Sequence, residues 1–276
     1  MFLLIEKLMK CAEQVAIDAG KWIVENRCNI ENIQYKKNHL DLVTDIDRSS
    51  EARIIRNIQQ MFPEHAIISE EIQSIEKDFS SFDQDEYCWV IDPIDGTVNY
   101  VHDIPYYSIS IGIVRNGKTV VGVVYDPNRK ELFSAGQGIG AYLNGKRLKV
   151  SKRLMKESVL HTGYAAADWT TDSPLRQEFA KCYAKSRNIR IAGSASIDLA
   201  YVACGRIDGF WQRSLSPWDI AAGVLLVTEA GGAVSGIDGS ILDIKKGDVL
   251  ATNGLIQNQL INILSEAKED EGTIPN

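Results

Sequence analysis

Asp92 and Asp95 stand three residues apart in the stretch Trp89-Val90-Ile91-Asp92-Pro93-Ile94-Asp95-Gly96-Thr97-Val98-Asn99. Their carboxylates are hard oxygen ligands and suit a hard divalent cation such as Mg²⁺. Gly96 and Thr97 come next. At the start of a helical turn their backbone N–H groups are free to hold a phosphate. The two features together describe metal-assisted phosphate chemistry. Taken alone, the stretch is also an ordinary acidic turn, because Asp and Gly are favoured in turns. An EF-hand loop fits poorly: Asp103 is twelfth counting from Asp92, but Ile94 and Gly96 fall where ligands belong.

Three further stretches carry acidic residues at element boundaries. Glu70-Glu71 follow the strand-like run Ala66-Ile67-Ile68-Ser69, and ligand sites in α/β sheets gather outside strand ends. In isolation, paired glutamates are more often surface charge. Asp45 and Asp47, in Asp41-Leu42-Val43-Thr44-Asp45-Ile46-Asp47, and Asp219, in Ser216-Pro217-Trp218-Asp219, fall in the first turns of helices. Compensation of the helix dipole alone would account for an acid there. Gly193-Ser194-Ala195-Ser196 opens another helix with small residues that let a ligand approach its N-terminus. Lys36-Lys37-Asn38-His39 is a polar, basic loop.

The elements that must hold these residues follow from periodicity. Leu4, Leu8, Cys11, Ala12, Val15, Ala19 and Ile23 form the stripe of an amphipathic helix over 3–26. A second helix begins near Thr44 or Asp45, carries Ile54, Ile55, Ile58 and Phe62, and is closed by Pro63. Trp89-Val90-Ile91 reads as a buried strand ending at Asp92, because Pro93 removes a ladder donor. Residues 72–87 read as a polar surface loop with a helical turn. Runs at 108–114, 119–125, 131–134 and 140–143, with an Asn144-Gly145 turn, read as antiparallel hairpins. Gly136-Gln137-Gly138-Ile139-Gly140 has the wrong spacing for a dinucleotide loop. From about Ser151 strands and helices alternate: strands at 159–162, 189–191, 207–211 and 233–235, and helices at 174–186, 193–204, 217–229 and 255–267. Ser216 suits an N-cap and Pro217 the first helical position. The division expected is an α+β metal-binding domain at 1–150 and an α/β domain at 151–276 that completes the site. The tail from Lys268 is polar.

With 276 residues, 45% hydrophobic and 24% charged, the chain is an ordinary globular one with room for a sizeable core. Its net charge of −7, with no basic cluster, argues against a general nucleic-acid binder. An acidic protein that handles phosphates needs cations at its site. Five scattered cysteines without a C-x-x-C pair suggest neither a disulfide framework nor zinc, and read as buried thiols in a reducing cytoplasm. Met1–Ile5 are apolar, but Glu6 and Lys7 interrupt too early for a signal-peptide core, and no stretch approaches a membrane span.

Asp41-Leu42-Val43-Thr44 with Asp47, Glu70-Glu71, Asp92-Pro93-Ile94-Asp95-Gly96-Thr97-Val98-Asn99 and Trp218-Asp219-Ile220-Ala221-Ala222-Gly223 resemble, in order and spacing, the inositol monophosphatase family of Mg²⁺-dependent, lithium-sensitive phosphatases. The resemblance implies a sugar-phosphatase-like αβαβα sandwich with mixed sheets, and a homodimer. It implies that Glu70, Asp92 and the Ile94 carbonyl hold one Mg²⁺, while Asp92, Asp95 and Asp219 hold a second. Glu70 would share a third, water-held ion. Asp47 and Thr97 would orient the attacking water, with Glu70 also in the catalytic set. Gly96 and Thr97 would hold the phosphate, and Gly193, Ala195 and Gln212 the rest of the substrate. Where inositol-specific members carry a glutamate, this chain has Gln212, which gives up a charge-assisted hydrogen bond. Its neighbour Arg213 either stays solvated or faces a second phosphate. The expected reaction is hydrolysis of inositol monophosphate with a broadened range. The same-class alternatives are the 2′-phosphate of NADP(H), fructose 1,6-bisphosphate and 3′-phosphoadenosine 5′-phosphate. A regulatory protein that keeps the fold is the alternative of another class.

Overall fold

The computed structural model describes residues 2–29, 33–35, 42–73, 85–164 and 175–269. Asp41, the Lys36–His39 loop, 74–84 of the polar loop, the expected helix start at Pro174 and the tail beyond 269 lie outside the described residues. The elements run α1 (Phe2–Asn26), β1 (Ile33–Tyr35), β2 (Leu42–Thr44), α2 (Asp45–Met61), β3 (Ala66–Ser69), α3 (Glu70–Gln73), β4 (Cys88–Asp95) and α4 (Thr97–Val101). Then come the strands β5 (Ser108–Arg115), β6 (Lys118–Asp126), β7 (Glu131–Gly136), β8 (Gly140–Leu143), β9 (Lys146–Arg147) and β10 (Val159–Thr162). The remainder is α5 (Leu175–Lys185), β11 (Asn188–Arg190), α6 (Ala195–Ala203), β12 (Gly209–Gln212), α7 (Pro217–Glu229), β13 (Ala233–Ser235), β14 (Val249–Thr252) and α8 (Gln257–Glu269).

Five layers result. Helices α1 and α2 cover one face of a seven-stranded sheet, β3-β4-β5-β6-β7-β8-β9, in which only β3 and β4 run parallel. Its other face takes α6 and α7. These also pack against a five-stranded mixed sheet, β11-β10-β12-β14-β13, whose outer face carries α5 and α8. Each apolar layer joins the next through strand alternation. Along β4, Trp89 and Ile91 enter the core under α1 and α2, whereas Cys88 and Val90 enter the core around α6 and α7. The αβαβα sandwich is present, and no described helix is long and apolar enough to cross a membrane.

Helix α1 buries Ile5, Leu8, Ala12, Val15, Ala19 and Ile23. Leu4, read as part of the stripe, is exposed, and Ile5 takes its place. The Asn144-Gly145 turn forms the β8–β9 hairpin with φ of 48° and 77°, both left-handed as a tight hairpin turn requires. Two readings are corrected. Strand β14 is not among the strands expected from the sequence, although it pairs with both β12 and β13. Its Val-Leu-Ala-Thr is buried throughout and has no alternation to reveal it. Strand β4 also does not stop at Asp92.

That second correction decides the site. Asp92 pairs with Ser110 and Asp95 with Ser108, so Pro93 and Ile94 together oppose the single residue Ile109. This is a β-bulge, which absorbs the donor that proline lacks. In a regular strand, residues three apart point to opposite faces. The extra residue restores parity, so Asp92 and Asp95 share the face on which Ser108 and Ser110 lie.

Candidate metal and phosphate site

Asp219 joins the two β4 aspartates from the first turn of α7, and carboxylate oxygens of all three lie within 4.8 Å of one another. The sequence brings α7 this close by design of its surface. An added Cβ on Gly112 of β5 would sit 2.7 Å from Ala221 Cβ, and one on Gly122 of β6 2.4 Å from the Ala222 carbonyl oxygen. Only glycine lets the helix lie down on the sheet. Ser110 then donates to the Trp218 carbonyl at 3.0 Å, fixing the helix start. One Asp219 oxygen, Oδ2, accepts from the Ser216 amide at 2.7 Å. The aspartate therefore serves its helix end and the cluster at once.

Asp95 is held by the other interlayer helix. Its Oδ2 accepts from the Ser194 hydroxyl at 2.6 Å, from the Ser196 amide at 2.8 Å and from the Ser196 hydroxyl. Ser108 completes the group, 2.7 Å from the Ser196 hydroxyl. Burial pushes Asp95 up to about 6 despite these donors. Asp219 is driven well above the usual carboxylate range, first by desolvation and then by the charges of Asp95 and Glu70. For Asp95 and Asp219 this crowding favours the protonated form, and a cation between them would relieve it.

Glu70 follows β3 directly and opens α3, so both glutamates sit in a first helical turn. The parallel register Ser69↔Ile91 brings Glu70 alongside Asp92. Buried Glu51 of α2 steadies this corner, its Oε1 accepting from the Glu71 amide at 2.9 Å; burial raises its own pKa. Asp47 is buried in a capping box with Thr44, whose amide donates to Oδ2 at 2.9 Å. The other oxygen, Oδ1, lies 3.2 Å from the Thr97 hydroxyl, which is also 3.1 Å from the Ile94 carbonyl. Asp47, Thr97 and Ile94 are thereby brought together beside the aspartates.

Gly96 caps α4 with φ 98°, and a Cβ there would meet the Gly193 carbonyl at 3.0 Å and that of Tyr106 at 3.1 Å. A side chain is excluded on both counts. Asn99 straps the same region together: its Nδ2 donates to the carbonyls of Tyr106 at 2.7 Å and Ala192 at 2.9 Å. Gly193 and Ala195 flank Ser194 at the start of α6; an added Cβ on Gly193 would meet Asn99 Nδ2 at 3.0 Å, whereas Ala195 is buried in the core around α6 and α7. Gln212 ends β12 and is buried, with Oε1 2.1 Å from where a Cβ on Gly163 would lie. Arg213 neither stays solvated nor faces the site. Its Nε donates to buried Glu178 at 3.1 Å, with Asp248 a further 3.8 Å contact. Strand alternation explains this, since Trp211 and Arg213 share the α5–α8 side while Gln212 takes the other.

Sequence reasoning treated Ser194 and Ser196 as small residues and did not find Ser108, Glu51 or the partners of Asn99. No spacing signals them: most of these contacts span distant parts of the chain, and the Asn99–Tyr106 contact is to a backbone carbonyl that no residue type marks. The donors of this site are oxygens alone, several of them charged and mutually repelling, which fits Mg²⁺ and not a thiophilic metal.

The model of the inositol monophosphatase family matches residues 4–269. An inositol-1-monophosphatase from Synechocystis sp. is 40% identical over 262 residues, covering 95% of this chain and 90% of that protein. The Nus factor SuhB from Pseudomonas aeruginosa is 41% identical over 253 residues, covering 90% and 92%. A solved IMPase from Thermotoga maritima matches with a TM-score of 0.85 at 33% identity, covering 96% of this chain and all of that one. Fold and acidic cluster are those of a phosphoric monoester hydrolase of a class that generally uses Mg²⁺. The chain belongs to the inositol monophosphatase family.

Proposed function

We propose that this chain hydrolyses inositol monophosphate and other small phosphate monoesters by direct, in-line attack of water. The observation that carries the reading is the meeting of Asp92, Asp95 and Asp219 within 4.8 Å, beside a Thr97–Asp47 pair. Glu70, Asp92, the Ile94 carbonyl, Asp95 and Asp219 would hold two Mg²⁺ ions. Bound there, Mg²⁺ supplies charge neutralisation for the phosphoryl oxygens and the leaving alkoxide, and acidifies water. The chain's own residues do the positioning. When Thr97 donates its proton to Asp47 Oδ1, its oxygen lone pairs are left to accept from a water and hold it for attack. The first-turn amides at Gly96 and Thr97 have no partner within their helix and suit phosphate oxygens. Gly193, Ala195 and Gln212 are assigned to the alcohol part of the substrate.

Substrate range follows from Gln212, whose neutral amide gives up roughly 1 kcal/mol against a carboxylate toward a hydroxyl-rich ring. Phosphate release from inositol 1-phosphate, NADP⁺, fructose 1,6-bisphosphate and 3′-phosphoadenosine 5′-phosphate, with Mg²⁺ and with EDTA, tests the proposal. Inositol 1-phosphate should be cleaved only with Mg²⁺, with competitors within about tenfold to a hundredfold in kcat/KM. Gln212→Glu should widen that gap. No Mg²⁺-dependent release from any of the four would sink the reading. The name of the Pseudomonas relative favours a second reading, an interaction protein that keeps the fold; such a role does not require the acidic cluster.

A further inference from the structure

The first turn of α6 faces two ways, and only one of them touches the metal site. On one side Ser194 and Ser196 donate three hydrogen bonds to Asp95 Oδ2. That saturates one oxygen and turns the other toward the aspartate cluster. On the other side the same turn carries Asp198, a buried carboxylate to which the proposed reaction gives no task. Its Oδ1 accepts from the Tyr106 hydroxyl at 2.6 Å and lies 2.6 Å from Nδ1 of buried His161. Tyr106 belongs to the loop between α4 and β5, and its carbonyl receives Asn99 of the phosphate turn at 2.7 Å. His161 belongs to β10 of the second sheet. Asp198 thus joins the first sheet's loop, the second sheet's strand and the helix that grips Asp95.

We propose that Asp198 is a positioning residue for the metal site: anchored by Tyr106 and His161, it sets the α6 turn whose serines orient Asp95. A helix end held only by its own hydrogen bonds to Asp95 would move with that side chain. A second anchor two residues beyond Ser196 fixes it against both sheets. Groups hydrogen-bonded to a metal ligand tune metal affinity by about tenfold to a hundredfold, and Asp198 sets the position of two such groups. Distance alone would hide the effect, because Asp198 contacts no proposed ligand. The inference rests on the Mg²⁺ assignment made above.

Mg²⁺ binding by isothermal titration calorimetry, without substrate, tests it in the wild type, Asp198→Asn, Ser196→Ala and the double variant. Asp198→Asn keeps the shape and should weaken Mg²⁺ binding about tenfold, as should Ser196→Ala. The double variant should lose clearly less than the product of the two single losses, since Asp198 acts in part through the Ser196 hydroxyl and in part through the Ser194 hydroxyl and Ser196 amide that remain. A folded Asp198→Asn protein with wild-type affinity overturns the inference. So does a double variant whose loss is the product of the two singles, which would mean that Asp198 acts independently of the serines. If Asp198→Asn does not fold, Tyr106→Phe removes one anchor alone and should still weaken binding severalfold; unchanged affinity there is equally fatal. A wild type that binds no Mg²⁺ overturns the metal assignment and this inference together, whereas a wild type that binds it with unaffected variants overturns only this one.

Discussion

Asp219 answers to two demands that oppose each other. As a carboxylate crowded by Asp95 and Glu70 it is costly to ionise in the metal-free protein, and under the proposed assignment the same crowding would draw a cation. Asp219→Asn keeps the volume and the acceptor for the Ser216 amide while deleting the charge. Turnover should fall more than about a hundredfold, and the melting temperature measured in EDTA should rise by about 2–4 °C for each kcal/mol of repulsion relieved. A variant with near-normal turnover at ordinary Mg²⁺ would contradict the ligand assignment. Residues of this kind were legible in the sequence because the chemistry itself dictates their type: aspartates at strand and helix ends, a threonine after a glycine. Ser194 and Ser196 were not, because their partner Asp95 lies about a hundred residues away and a serine looks the same wherever its hydroxyl points.

At the scale of elements, the placement of α7 controls where Asp219 stands. Its seat on the sheet depends on Gly122, where a Cβ would meet the backbone oxygen of Ala222 at 2.4 Å, one helical turn after Asp219. Gly122→Ala should cost about 1–3 kcal/mol in chemical denaturation, by forcing backbone apart. It should also weaken Mg²⁺ activation, since the helix that moves carries a proposed ligand. An unchanged midpoint and unchanged Mg²⁺ dependence would show that the sheet can bend out of the way. The amphipathic helices and hairpins were readable from periodicity and turn residues. The β4 bulge was not: proline reads as a stop, and only a partner strand reveals that the ladder resumes with its parity changed. Strand β14 hid for the opposite reason, being apolar on both faces.

For the whole molecule, acid and metal should act as rivals. Asp95 sits at about 6 in the folded, metal-free protein against an ordinary value of 3.8. The folded state therefore binds more protons than the unfolded one between pH 4 and 6, and stability declines as pH rises through that window. Asp95 alone accounts for about 3 kcal/mol, and Asp219 acts in the same direction. In EDTA the protein should melt higher at pH 5 than at pH 7.5. Added Mg²⁺ should raise the melting temperature strongly at pH 7.5 and little at pH 5, where protons hold the ligands. Calorimetry showing metal-free stability climbing steadily from pH 5 to 7.5 would exclude this balance. The shared interlayer of α6 and α7 has a further consequence, for the order of synthesis. The seven-stranded sheet is complete at Arg147, but the helix that covers its inner face ends at Glu229, about 80 residues later. At 5–20 residues per second, a ribosome leaves that apolar face bare for roughly 4–16 s. During those seconds the nascent chain is an open sticky surface, without an Asp219 to close the site, and any helper that shields emerging chains has its target there.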